Sequence, residues 1–176
     1  MGLQLIFVVE TNKTCKSDWI YIKNTIDRFY TYDHAHVKLS PVYMNGKAKY
    51  EYKNKEVKSL ITQYSKMATN NKSAVIYCFD CDDYDTKPED TQFLELTQTF
   101  CQSHGYNYVW FCKDIERVYL QQKVSDKQKK KEAEKFMAKK QINKINASNL
   151  SATSYKANAS NLLLILDQFI PPLTRK

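Results

Sequence analysis

The sequence predicts an α/β fold: a mostly parallel sheet of about four strands, flanked by helices and followed by a helical C-terminal part. Three observations carry this. Short apolar runs alternate with stretches of helical periodicity, the pattern of a parallel sheet with crossover helices. The runs are nearly all apolar rather than alternating, which suits strands covered on both faces. The third run, Ala74 to Phe79, ends abruptly in Asp80, Asp82, Asp83 and Asp85. Open α/β sheets bind their ligands at that edge.

Leu3 to Val9 reads as the first strand. Ser17 to Tyr30 follows as a helix, with Trp19, Ile22, Ile26 and Phe29 on one face, Thr14 or Ser17 as cap and Asp18 favourable in the first turn. His36 to Tyr43 is a weaker strand broken by Pro41, and Asn45-Gly46 marks a turn. Val57, Leu60, Ile61, Tyr64 and Met67 define a second helix that ends at Asn70-Asn71. Ser73 to Phe79 is the third strand. Side chains in a strand alternate between faces, so Asp80 and Asp82 point the same way if the chain stays extended.

Pro88, Glu89 and Asp90 open a third helix, with Phe93, Leu94, Leu96 and Phe100 on its apolar side and Gly105 as its stop. Tyr106 to Cys112 is the last strand expected. Asp114 to Lys144 is polar and mostly helical, broken near Ser125, and Asn146 to Ala159 is a loop. Ser160 then caps a final apolar helix ending at Pro171-Pro172. The reading divides the chain into an α/β core over 1–113 and a helical extension over 114–176, packed on that core.

Composition narrows the classes. No apolar run approaches the ~18 residues of a membrane span, and the start lacks a basic leader before Glu10. The expectation is a soluble, cytoplasmic protein. Five cysteines, an odd number, suit free buried thiols better than a disulfide framework. Cys78-x-x-Cys81 and Cys101-x-x-His104 mimic zinc spacing, but Cys78 and Cys81 face opposite sides of an extended strand. No Gly-rich phosphate loop is present, which argues against a P-loop ATPase. The net charge is +8, and Lys123 to Lys144 supplies most of it, with nine Lys against three carboxylates. Such clustering suits a polyanion such as nucleic acid, with Lys127, Lys129, Lys130, Lys131, Lys135, Lys139 and Lys140 as candidate contacts. A solvated helical arm is the plainer explanation of the same run.

Glu10 follows the first strand, in Val9-Glu10-Thr11-Asn12-Lys13-Thr14. In a parallel sheet the ends of the first and third strands share an edge, so Glu10, Asp80 and Asp82 can converge. Carboxylates there can hold a hard divalent cation. A Glu ending the first strand and an Asp-x-Asp ending a later one resemble the Toprim fold, a Rossmann-like sheet. The likeness extends to the small Toprim-like proteins of the RloB and AbiL type, which are associated with OLD systems. Asp80-Cys81-Asp82-Asp83 is similar to their Asp-x-Asp-Asp, Ile115-Glu116 to their Phe-Glu, and Ala159-Ser160-Asn161-Leu162 to their last helix start. Thr11 stands where they carry a Gly after the Glu, a place where freedom at positive φ is expected.

The resemblance implies an Mg²⁺-dependent (or Mn²⁺-dependent) nuclease cutting DNA or RNA. Glu10, Asp80 and Asp82 are then catalytic and, with Asp83, metal-binding; Glu116 and Lys13 are possible additions. It also implies a setting in prokaryotic defence against phage, with an ATPase or other defence protein as partner. The alternative is a catalytically silent nucleic-acid-binding or regulatory module working with a partner. A primase-like nucleotidyl transferase shares the fold but is expected to need parts that this short chain lacks.

Overall fold

Seven residues of almost unbroken apolar character, Leu3–Val9, form strand β1 at the centre of the sheet. The computed structural model describes residues 2–176. Helix α1 (Ser17–Phe29) leads through a two-residue strand β2 (Tyr30–Thr31) to β3 (Val37–Tyr43). Helix α2 (Tyr50–Met67) leads to β4 (Lys72–Asp80), and α3 (Pro88–His104) to β5 (Asn107–Cys112). The main sheet has the order β3-β1-β4-β5, parallel throughout. A short β6 (Ala159–Ser160) extends it antiparallel to β5.

Both faces of the sheet are covered, as the continuous apolar strands require. Leu5, Phe7, Val9, Ile76, Cys78, Val109 and Phe111 pack on one side with Tyr21, Ile22 and Ile26 of α1. Ile6, Val8, Val75, Tyr77 and Phe79 pack on the other with Val57 of α2 and Cys101 of α3. The chain steps from β1 outward to β3, then returns across β1 to β4 and continues to β5. The direction of winding therefore reverses between β1 and β4, the crevice where open α/β sheets bind ligands.

Several elements form for the reasons their residues suggest. Pro88 begins α3, with Glu89 and Asp90 in its first turn, and Gly105 closes it in the left-handed conformation (φ 67°). Asn45 and Gly46 turn the chain at φ 55° and 111°. Pro41 does not break β3, because β3 is the edge strand and one of its sides has no ladder to interrupt. Neither Thr14 nor Ser17 caps α1 by a side-chain hydrogen bond; Lys16 holds the cap position. Asn12 instead accepts from the N–H groups of Thr14 and Cys15 just upstream.

The segment after Lys113 contains helices α4 (Ile115–Leu120), α5 (Lys129–Ala138) and α6 (Leu162–Leu166), and the break near Ser125 falls between the first two. It also contains strands: β6, and β7 (Thr174–Arg175), which pairs antiparallel with β2. Ser160 belongs to β6, and the last helix is only five residues long. The physical reason is tertiary. Asn161 accepts from the Trp110 N–H (3.0 Å) and donates to the Tyr108 carbonyl (2.9 Å), pinning this stretch to the β5 edge before the helix can start. Ser160 Oγ does accept from the Leu162 N–H, at 3.1 Å. Phe136, Val118, Leu162 and Leu166 join the α1-side core, so α4, α5 and α6 share that layer.

Candidate functional site

Glu10 lies one residue past β1 and Asp80 is the last residue of β4. Because these strands are adjacent, the Asp80 N–H reaches Glu10 Oε1 at 2.8 Å. The Glu10 carbonyl accepts from Gly46 at 3.0 Å, which ties the turn after β3 to the same place. Asp80 Oδ1 accepts from the Ile115 N–H at 2.9 Å, at the start of α4. The two carboxylates flank the switch point, one on each strand.

Asp82 departs from expectation. The chain does not stay extended past β4: Asp82 takes a left-handed conformation (φ 48°), and its N–H donates to the Lys113 carbonyl at 2.6 Å. Its carboxylate pairs with Lys47, which also meets Asp90 at 3.4 Å. Asp80 and Asp82 therefore do not share a face by strand alternation. Asp83 is held by Lys87 (2.8 Å) and Lys113 (3.5 Å), and Asp85 by Lys113 (3.1 Å). Thr11 does not adopt positive φ, so the turn after Glu10 has no conformational need for Gly. Its N–H donates to Asp18 Oδ2 at 3.1 Å.

Two buried carboxylates complete the cluster. Asp18, 6% exposed, sits in the first turn of α1 and also accepts from Ser17 Oγ. Glu116, 1% exposed, comes from α4. Sequence reasoning read Asp18 only as a dipole-complementing residue; its one further signal was its place eight residues after Glu10, on the helix that follows β1. Lys129 of α5 turns inward, with Nζ 3.7 Å from Glu116 Oε2. Glu116 Oε1 has no hydrogen-bond partner, and neither does the buried Tyr21 hydroxyl.

Burial governs the electrostatics here. It pushes Glu10 up to about 8, against the Asp80 N–H and with help from Asp18 and Asp82. It raises Glu116 to about 7, with Lys129 opposing. Asp80 is held well above the usual carboxylate range by burial, then by Glu10 and Asp18, and Asp18 is also raised by burial.

No family model, curated protein or solved structure matches this chain.

The donor chemistry fits a hard divalent cation. Glu10, Asp80, Asp18 and Glu116 offer carboxylate oxygens, the donor type such a cation takes, one buried carboxylate oxygen is unpartnered, and the carboxylates around Lys129 outnumber the cations facing them. Among the described residues no group of three or more His, Cys, Asp or Glu side chains stands close enough together to hold a metal ion as placed. Asp82 is engaged by Lys47 through one carboxylate oxygen, Oδ2.

The basic residues divide. Lys127, Lys130, Lys131, Lys135, Lys139 and Lys140 are exposed on or beside α5, and Lys13 is exposed in the loop after β1. Lys135 pairs with Glu132 at 3.4 Å. Lys129 is the exception to the expected basic face, because burial of Phe136 and Ala133 orients α5 so that Lys129 faces the acidic cluster. Among the described residues no helix is long and apolar enough to cross a membrane.

The raised carboxylates set a pH dependence. Glu10 and Glu116 hold protons more tightly folded (about 8 and about 7) than at their ordinary 4.5. The folded state therefore carries the extra protons between those values, and stability falls as pH rises through that window. Urea unfolding at pH 5.5 and 8.5 is expected to show the protein weaker at the higher pH. Glu116 alone accounts for a loss on the order of 2 kcal/mol. Glu116→Gln should flatten that slope; an unchanged slope would place the proton elsewhere.

Proposed function

We propose that this chain is an Mg²⁺- or Mn²⁺-dependent phosphodiesterase of the Toprim class, cutting DNA or RNA, and akin to the RloB and AbiL type. The observation that carries the reading is the hydrogen bond from the Asp80 N–H to Glu10 Oε1 across the switch point. It gathers a first-strand Glu and a later-strand Asp at the edge where such sheets bind ligands. Glu10 and Asp80 are the residues to hold the cation, with Asp82 joining on release from Lys47 and Glu116 approaching from α4. A divalent ion held by these residues would offset charge on phosphodiester oxygens and polarise an attacking water. Glu10, steadied by the Asp80 N–H, is placed to move a proton at the attacking or leaving oxygen. Asp83 and Asp85, engaged by Lys87 and Lys113, hold the loop after β4 in place.

The exposed lysines of α5 suit a phosphate backbone, and backbone contact gives affinity that falls with salt and ignores sequence. Lys130→Glu with Lys131→Glu is expected to weaken DNA or RNA binding uniformly across sequences. The log–log salt slope should drop by about 1–2, read by fluorescence anisotropy between 50 and 200 mM salt. An unchanged slope would make the lysines a solvated arm. A partner from a phage-defence system, such as an ATPase, belongs to this same reading.

The direct test is incubation of labelled DNA and of total RNA with purified protein in Mg²⁺, Mn²⁺ or EDTA. Cutting that needs the cation supports the enzyme and names its substrate class. The second reading is a silent Toprim-like module that binds nucleic acid or regulates a partner. Its support is that Lys47 and Lys129 already pair with Asp82 and Glu116. Salt-sensitive binding with no cutting under any cation would favour it.

A further inference from the structure

Cys81 is the first residue past β4 and Cys112 the last residue of β5, and each directly follows the last β4–β5 pair, Asp80 and Phe111, on these adjacent parallel strands. The Cys81 N–H donates to the Phe111 carbonyl at 2.9 Å, so the ladder continues between them. Their Sγ atoms are 2.8 Å apart, and both residues are essentially fully buried. Adjacent strands run about 4.8 Å apart, inside the Cα separation that a disulfide spans. Bringing the sulfurs to bonding distance needs a shift of less than about 1 Å. Cys78 and Cys101 lie in two other core clusters, on opposite faces of the sheet, and Cys15 lies in the loop before α1. The geometry therefore singles out one pair among five free thiols.

We propose that Cys81 and Cys112 are a redox modification site: hydrogen peroxide converts this dithiol into a disulfide that bolts the tip of β4 to the tip of β5. One cysteine, as thiolate, attacks a peroxide oxygen; the O–O bond breaks, hydroxide leaves and takes a proton, and a sulfenic acid remains. The second thiolate attacks that sulfur, forms the S–S bond and expels the hydroxyl as water. The two sulfurs give up two electrons, one peroxide is reduced, and two waters form. The inference stands on the cysteine geometry alone and does not depend on the phosphodiesterase reading.

Access is through an aromatic cover. Tyr155 packs edge-on against Trp110 (5.0 Å) and Tyr84 (5.3 Å), over the cluster that contains both sulfurs. Tyr155 belongs to the 151–158 stretch, which has no helix or strand, and it also lines a groove of about 560 Å³. On this proposal, the peroxide would enter from the groove where Tyr155 swings aside. The bond would hold in place the turn bearing Asp82, whose N–H already reaches the Lys113 carbonyl at 2.6 Å.

The test is brief exposure of the native full chain to hydrogen peroxide, followed by alkylation and mass spectrometry without reductant. The expected result is a loss of about 2 Da, a fall from five free thiols to three, and a linked peptide containing Cys81 and Cys112. Reductant should reverse all three changes. Cys112→Ser and, separately, Cys81→Ser should each lose the linked peptide, with circular dichroism checking that the variant is folded. Tyr155→Ala should speed the reaction several-fold. Five free thiols persisting in the native wild type, or a bridge through any other cysteine, would overturn the proposal and leave the pair as apolar packing.

Discussion

Asp80→Asn is expected to lower cation-dependent cleavage by about 10²-fold or more while leaving the protein folded. Asn keeps the volume and one oxygen able to accept from the Ile115 N–H, so the start of α4 keeps its anchor. The backbone N–H that steadies Glu10 is untouched. What disappears is the negative charge, which the proposed reaction needs for the cation and which the fold does not want. Asp80 sits buried beside Glu10, Asp18 and Glu116, where its ionised form is disfavoured. The variant should therefore melt no lower than the wild type, a trade of function against stability common at active sites. The check pairs a cleavage time course in Mg²⁺ or Mn²⁺ with a thermal melt. Undiminished cutting would remove Asp80 from the chemistry. Lost cutting in a protein that melts far lower would show a structural role instead.

The largest loss of stability is expected from Phe136→Ala, about 3–5 kcal/mol. Phe136 is fully buried, 5.0 Å edge-on from Tyr21 and 5.6 Å edge-on from Tyr119, which themselves stack at 5.0 Å. These three rings join α5 to α1 and α4. Truncation leaves a cavity at their meeting point and forfeits the edge-to-face contacts. A domain of this size has only about 5–15 kcal/mol in hand, so the change is a large share of the total. It also frees the helix that aims Lys129 at Glu116. Chemical denaturation measures the first effect; hydrogen exchange across residues 129–138 measures the second. A cost below about 1 kcal/mol would mean that α5 is not held on the core as described.

The strand and helix alternation was legible because burial on both faces writes continuous apolar runs, and helices on a sheet repeat with their own period. Leu3–Val9 was found with its limits, and the second strand of the site, read as Ser73 to Phe79, lies within β4 (Lys72–Asp80). Glu10 and Asp80 were legible together for a related reason: in any parallel sheet, residues just past the strand ends share an edge. Asp82 was misplaced because alternation holds only while the chain is extended, and the bond to the Lys113 carbonyl, thirty-one residues away, turns it. Pro41 was misread as a breaker because nothing local reveals that its strand is an edge.

By itself, the sequence determined the four parallel strands and the three crossover helices of the core, the acidic character of one sheet edge and the basic character of the segment after Ser125. The tertiary structure alone decided that β1 and β4 are neighbours, that Asp18 and Glu116 join Glu10 and Asp80, and that Lys129 faces inward while its neighbours face water. It also set Cys81 against Cys112. The reason is physical. Periodicity records how much of each segment is buried, a local property. Which charges and thiols meet depends on strand order and on where packed aromatic side chains fix each helix, and no single segment encodes either.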